Sequence, residues 1–386
     1  FSTSISTSLW PYSGTGTSCI QMPLAASRLT SALIMFGMSI ALRVENAIHY
    51  RPGQATLRPY NPRMPAPAHA IDQRPRAIFL MGPTATGKTA LACALAKRFP
   101  LELVSVDSVL VYRGLDIGAA KPDAATRRRH PHALIDVRDP AEPYSAAMFR
   151  EDALREMQAI TARGKVPLLV GGTGLYFRAL ERGLAPMPAA DPDVRARLRE
   201  EADRAGWSAL HARLAEYDPA AARRIRPNDA QRIQRALETI ELTGRRLSEL
   251  HQADDTRSRI PHRVLKLALI PVDRRLLRER IAERFDAMLA AGFLDEMKRL
   301  RARGNLSAEL PAMRAVGYRQ AWQFLDGDCD AREFRQRAID ATRQLAKRQT
   351  TWLRGELDAR VLDPDRSACR DCAVTAIALF LGQRTA

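Results

Sequence analysis

Gly82-Pro83-Thr84-Ala85-Thr86-Gly87-Lys88-Thr89 spells a complete G-x-x-x-x-G-K-[ST] phosphate loop. Before it, Ala77-Ile78-Phe79-Leu80-Met81 reads as a buried strand, and after it Ala90 to Lys97 is rich in helix formers. The motif therefore stands where a strand feeds a helix N-terminus, the context its chemistry needs. Backbone N–H groups of the turn and the positive end of the helix cradle phosphate oxygens, Lys88 adds a point charge, and Thr89 offers a hydroxyl to Mg²⁺. A di- or triphosphate is the expected ligand, and Mg²⁺ the expected cofactor.

The next short β-rich run, Leu101-Glu102-Leu103-Val104-Ser105-Val106, delivers Asp107-Ser108 to its C-terminal end. In an open parallel sheet that is where ligands bind, so Asp107 is expected to face the phosphate loop. Three roles suit such a carboxylate: holding Mg²⁺ through water, acting as general base, or capping the backbone that follows. A further strand, Val166 to Val170, ends in Gly171-Gly172-Thr173-Gly174, a second turn that exposes backbone. It carries no terminal Asp, which argues against an ATP-hydrolysing engine.

With 60 Lys plus Arg against 43 Asp plus Glu, the net charge is +17. Residues 1 to 74 hold six arginines against Glu45 and Asp72, so most of the excess lies on the part expected to fold. Such an excess attracts polyanions without specifying them. Arginines cluster at Arg195-Ala196-Arg197-Leu198-Arg199, at Arg223-Arg224-Ile225-Arg226, and at Arg232 with Arg235 on one helix face. Taken singly, each cluster fits a solvated helix face as well as an RNA contact.

The order of blocks is more specific. GPTATGKT is followed by SVDSVLVYRGLDIGAAKP (105 to 122), PLLVGGTGLYF (167 to 177), DPDVRARL (191 to 198), PNDAQRIQRALE (227 to 238), MRAVGYRQAW (313 to 322) and TRQLAKRQTTWLR (342 to 354). This series resembles the tRNA dimethylallyltransferase family, over roughly residues 76 to 354. The resemblance implies transfer of a dimethylallyl group from dimethylallyl diphosphate to N6 of adenosine 37, beside the anticodon, in tRNAs reading codons that begin with U. The loop Gly82, Pro83, Thr84, Ala85, Thr86, Gly87, Lys88 and Thr89, of nucleotide- and ATP-binding type, would then hold an isoprenoid diphosphate instead of ATP. By the same resemblance Asp107 takes the N6 proton, Thr84 contributes a hydroxyl at the diphosphate end beside Lys88, and Thr173 lies on the tRNA side. Contacts to tRNA are implied for Asp107, Ser108, Val109, Leu110, Arg195, for Gln231, Arg232, Ile233, Gln234 and Arg235, and for Arg314, Ala315, Val316, Gly317, Tyr318 and Arg319. The chemistry is coherent with the residues alone. Allylic displacement leaves diphosphate, whose growing charge Lys88, loop N–H groups and Mg²⁺ would meet.

Two other classes compete. A phosphate-loop kinase using ATP on a small metabolite accounts for the loop but not for the arginine clusters or the late VGYR block. An RNA-binding GTPase-like module finds only Ala120-Lys121-Pro122-Asp123 as an echo of N-K-x-D, without its Asn and too soon after the loop. Consumption of ATP and binding of guanine nucleotide would distinguish them.

The expected fold is α/β: a phosphate-loop parallel-sheet core with a helical insertion and a helical C-terminal part. The first part of the core covers 75 to 185. The insertion, 186 to 226, opens at Pro186-Met187-Pro188 and Asp191-Pro192 and should reach the anticodon stem. Residues 227 to 360 complete the core. They start with a helix from Ala230 to Leu242, capped by Asn228-Asp229 and ended by Gly244, and a strand from Val264 to Ile270. Helices Arg274 to Ala290, Leu294 to Ala302, Val316 to Leu325 and Ala331 to Leu353 follow. In the last, Ile339, Thr342, Leu345, Ala346 and Gln349 share a spacing near 3.6 and read as core contacts. Residues 361 to 386 read as a tail.

Residues 1 to 74, Ser/Thr-rich and then Pro/Arg-rich, read as a disordered or leader segment. The apolar run Leu29 to Leu42 is short for a bilayer. The expected setting is the cytoplasm, with no membrane, with the tRNA anticodon stem-loop and dimethylallyl diphosphate as partners, and with the enzyme acting as a monomer. The five cysteines, Cys19, Cys93, Cys329, Cys369 and Cys372, do not suggest a disulfide framework. Eukaryotic members of the resembled family can carry a C-terminal zinc finger. Here the last histidine is His262, so Cys369-x-x-Cys372 completes no such site, and a bacterial type is expected.

Overall fold

The computed structural model describes residues 72–185, 187–252 and 259–383. Expectations for residues 1 to 71, including the leader, the apolar run and Cys19, lie outside the described residues.

Among the described residues six parallel strands form one sheet, in the spatial order His132–Ala133, Leu101–Val106, Val166–Gly171, Arg76–Met81, Arg263–Leu269, Arg360–Leu362. They are β1 (Arg76–Met81), β2 (Leu101–Val106), β3 (His132–Ala133), β4 (Val166–Gly171), β5 (Arg263–Leu269) and β6 (Arg360–Leu362). The sequence RAIFLM of β1 is apolar without alternation because both of its faces are covered. Phe79 and Met81 face one core and Ile78 and Leu80 the other, all essentially inaccessible. On the first face pack helix Ala146–Ala162, through Phe149 and Met157, helix Gly174–Arg182, through Phe177 and Leu180, and the later helices through Ile281, Phe285, Phe334 and Leu353. On the second face lie helix Lys88–Ala96, through Ala92 and Leu95, and a C-terminal helix, Cys369–Leu381.

That last helix corrects the reading of 361 to 386 as a tail. Ala373, Val374, Ala376, Ile377 and Ala378 are buried against β1, β4 and β5, and Val361 pairs with Ala268. Small residues hide the pattern, because alanines pack closely without marking an amphipathic stripe. The insertion also differs from its expected limits. Its own core joins Leu198, Leu210, Leu214 and Ile225 to Ile233, Ala236 and Leu237, so helix Ala230–Thr243 belongs with it and not with the sheet. Helix Tyr318–Leu325 begins later than Val316 because Gly317 sits at φ 92, outside helical space, and its N–H is taken by Gln320 Oε1 at 2.9 Å. Among the described residues no helix is long and apolar enough to cross a membrane.

Candidate active site

Four neighbouring strands, β2, β4, β1 and β5, bring their C-terminal ends together, and the loops leaving them build the site. The phosphate loop leaves β1. Gly82 donates its N–H to Gly171 O at 3.2 Å, and a Cβ on Gly82 would lie 3.1 Å from Leu269 Cβ, so β4 and β5 hem the loop on both sides. Ala85 at φ 62 and Gly87 at φ 75 turn the backbone left-handed twice, which directs N–H groups into the loop's concavity and starts helix Lys88–Ala96. Thr86 Oγ1 closes the turn by donating to Pro83 O at 2.8 Å, and Lys88 Nζ donates to the same carbonyl at 2.6 Å. Burial pushes the Lys88 ammonium down to about 7; the Asp107 charge works against this and the Arg284 charge with it.

The loop after β4 is glycine-rich for steric reasons. A Cβ on Gly171 would lie 1.9 Å from Val106 O, one on Gly172 2.4 Å from Gln349 Nε2, and one on Gly174 2.4 Å from the Trp352 ring. None of the three has room for a side chain. Thr173 lies between them, and its Oγ1 accepts the N–H of Ser108 at 3.2 Å, tying this loop to the one after β2. There Asp107 Oδ1 accepts the N–H groups of Val109 at 2.8 Å and Leu110 at 3.3 Å. The capping role is thus filled by one oxygen. Oδ2 accepts nothing among the described residues and is left for chemistry.

Two residues that the sequence did not single out complete the site. Arg284, on helix Arg274–Ala290, is half-buried with no ion-pair or hydrogen-bond partner among the described residues, and its charge interacts with both Asp107 and Lys88. Burial lowers its guanidinium from the usual arginine value, and Asp107 opposes the shift. Nothing in RRLLRERIAERF marks this arginine among its neighbours. Gln349, read from sequence as core, spends its amide on the loops: Oε1 accepts Thr84 N–H at 2.9 Å and Nε2 donates to Gly172 O at 3.0 Å.

Two cations and a set of N–H groups for an anion, facing a carboxylate with one unengaged oxygen, can bind a diphosphate and receive a proton beside it. For Mg²⁺, the Thr89 residue is exposed, and among the described residues neither its hydroxyl nor Asp107 Oδ2 has a partner. No cluster of three or more His, Cys, Asp or Glu able to hold a metal occurs among the described residues. These oxygens suit an ion that arrives with the diphosphate and keeps most of its water, not a preformed cage.

The residues expected to touch tRNA fall into two groups. Ser108, Gln231, Arg232, Arg314 and Arg319 are exposed, while Val109, Leu110, Ala315 and Val316 are partly so. Ile233 and Tyr318 are fully buried and Gly317 is buried, so the side chains of Ile233 and Tyr318 meet protein and not solvent. Arg195 and Arg235 are committed elsewhere: Arg195 grips the buried Glu238 through Nε and Nη2 at 2.8 and 3.0 Å, and Arg235 Nη1 reaches it at 2.6 Å. Gln234 Nε2 donates to Arg195 O at 2.9 Å. Arg223, Arg224 and Arg226 remain exposed on the insertion.

Fold and site define a phosphate-loop α/β transferase with a helical insertion in its sheet. Family models described as IPP transferase and Isopentenyl transferase match residues 110–356 and 75–138. A tRNA dimethylallyltransferase of Stenotrophomonas maltophilia (strain R551-3) is 62% identical over 299 residues, covering 76% of this chain and 94% of the relative. That of Xanthomonas campestris pv. campestris is 59% identical over 320 residues, covering 82% and 97%. The chain belongs to the tRNA dimethylallyltransferase family. Solved structures agree. The tRNA isopentenylpyrophosphate transferase of Bacillus halodurans superposes with a TM-score of 0.58 at 36% identity, over 80% of this chain and 95% of that one. A eukaryotic dimethylallyltransferase acting on tRNA gives 0.68 at 25% identity, over 80% of each.

Proposed function

We propose that the protein transfers a dimethylallyl group from dimethylallyl diphosphate to N6 of adenosine 37 in tRNAs reading codons that begin with U. The observation that carries this is the placement of the phosphate loop with Lys88 after β1 and of Asp107 after β2, both tied to the loop after β4 by the Gly82–Gly171 and Ser108–Thr173 hydrogen bonds, with Arg284 close enough for its charge to act on both. The loop N–H groups, Lys88 and Arg284 bind the diphosphate and meet the charge that grows on it as the C1–O bond breaks. The adenine amine, a weak nucleophile, forms the new bond to C1, and Asp107 Oδ2 takes its proton. Asp107 Oδ1 stays on the Val109 and Leu110 amides and holds the carboxylate in place. When bound with the diphosphate, Mg²⁺ supplies further positive charge to its oxygens, with Thr89 as the residue that holds it.

The tRNA lies along the exposed Ser108, Arg314 and Arg319 and across the insertion at Gln231 and Arg232. The enzyme works in the cytoplasm as a monomer. Incubating the protein with unmodified tRNA and dimethylallyl diphosphate, then analysing nucleosides by mass spectrometry, tests the reading. Appearance of N6-dimethylallyladenosine without ATP is expected. Transfer that requires ATP, or none at all, overturns it.

A further inference from the structure

The segment Asp116-Ile117-Gly118 is organised around a carboxylate from far along the chain. Glu296, on helix Phe293–Ala302 and 3% exposed, accepts the N–H groups of Asp116 at 3.0 Å, Ile117 at 2.6 Å and Gly118 at 3.2 Å, and the hydroxyl of Tyr318 at 2.6 Å. Three successive N–H groups turned onto one anion make a backbone nest, so the buried charge is fully satisfied. Gly118 closes directly on the aromatic wall: a Cβ there would lie 2.2 Å from the Phe293 ring and 2.7 Å from that of Tyr318. Two residues on, Ala120 is held at φ 49, a conformation that side-chain-bearing residues adopt only when their surroundings enforce it. Lys121 follows, its side chain 2% exposed, and donates to Tyr112 O at 2.6 Å, to Asp116 Oδ1 at 2.9 Å and to Asp136 Oδ1.

One end of this arrangement reaches the turn that holds Asp107. Tyr112 closes the turn that begins at Asp107, since its N–H donates to Val109 O at 3.1 Å and the Val109 N–H is held by Asp107 Oδ1. At the other end, Tyr318 lies in sequence between Arg314 and Arg319, both exposed and without ion pairs among the described residues. Polar contacts therefore run unbroken from Tyr318 through Glu296, segment 116–118 and Lys121 to Tyr112 and Asp107. Fastening a loop does not require a carboxylate, because apolar packing of similar volume stabilises as well or better. What a carboxylate adds is direction, and here it fixes three N–H groups and a hydroxyl at once.

We infer that Glu296 is a positioning residue for the transfer: it relays the seating of segment 314–319 on tRNA to the turn that holds Asp107. The inference rests on the proposed role of Asp107 as base. Glu296 is buried and acts on the Asp107 turn through segment 116–118 and Lys121.

Tyr318→Phe tests it, because the ring and its packing stay while one donor is lost. With saturating tRNA and dimethylallyl diphosphate, the single-turnover rate should fall about tenfold, as expected for a hydrogen bond to a charged group. The tRNA Kd and the KM for the diphosphate should stay within about twofold. Lys121→Met cuts the same path at its other end, and the double variant should lose little more than the worse single one. Losses that multiply to about a hundredfold would overturn the relay. So would a lowered Tm with an unchanged single-turnover rate, which would leave Glu296 a fold staple. If Lys121→Met does not fold, Lys121→Gln takes its place in the cycle. Wild-type protein that modifies no tRNA would defeat the functional reading and the relay together, whereas failure of the relay alone leaves wild-type transfer intact.

Discussion

The side-chain amide of Gln349 takes the place of backbone pairing for Thr84. Its Oε1 accepts the Thr84 N–H at 2.9 Å, while its Nε2 donates to Gly172 O at 3.0 Å, so one residue of helix Ala331–Leu353 sets the spacing between the phosphate loop and the loop after β4. Gln349→Ala removes both bonds, each contributing about 1 kcal/mol. The KM for dimethylallyl diphosphate should rise about tenfold while Tm moves by only a few degrees. An unchanged KM would mean that the loop holds its shape without this brace.

Lys88 gives a pH dependence opposite in sense to that of most lysines. Its ammonium is disfavoured in the folded protein, with the value lowered from 10.5 to about 7 by burial. The unliganded protein should therefore lose stability as pH falls from 10.5 towards 7, and a bound diphosphate should restore it. Diphosphate needs the charged form, so binding takes up a proton above pH 7. Affinity should then weaken by up to about tenfold per pH unit between 7 and 9. Lys88→Arg keeps its charge throughout this range and should flatten the profile. Calorimetry in buffers of different ionisation enthalpy counts the proton directly, and zero uptake at pH 8 would refute the shift.

Asp107→Asn should lower kcat by roughly two to four powers of ten, the range for loss of a general base. Binding of tRNA should stay within about tenfold, because Asn Oδ1 can still accept from Val109 and Leu110 and keep the turn. Titrating Mg²⁺ against single-turnover rate distinguishes a base from a metal holder. A rate fully restored by raised Mg²⁺ would show that the carboxylate serves the metal instead.

How much of this was legible in the sequence depends on whether function rests on backbone or on distant side chains. The strands Ala77 to Met81, Leu101 to Val106 and Val166 to Val170 stand in the sheet within a residue of where their apolar runs place them, because a strand buried on both faces leaves no ambiguity of pattern. Gly82 to Thr89 and Gly171 to Gly174 announce themselves through the glycines that close contacts demand. Arg284, Gln349 and Glu296 left no such mark. Their roles come from helices that reach the site only after the chain has folded, and local spacing cannot tell Gln349 from its core-facing neighbours. Edge strand β6 is three residues long and the two-residue β3 is shorter still, below what alternation can reveal.

Glu238 provides the sharpest contrast between a basic cluster read from sequence and the same cluster folded. This carboxylate is fully buried on helix Ala230–Thr243 and receives Arg195, Arg235 and the N–H of Asp191, the last at 2.8 Å. Burial by itself would raise its carboxyl, but these three donors together hold it below the usual range. It therefore pins the start of the insertion to its last long helix, and two arginines expected on tRNA are engaged in that task. Glu238→Gln should destabilise the insertion by about 3 kcal/mol, since it leaves two partly buried guanidinium groups without their charge partner. Hydrogen exchange should quicken in helices Pro192–Ala205 and Ala230–Thr243 while β1 and β4 stay protected. Affinity for tRNA should fall with the loosened insertion. Tighter tRNA binding, with exchange unchanged, would instead mean that the released arginines reach the RNA and that the clamp on Glu238 is no anchor.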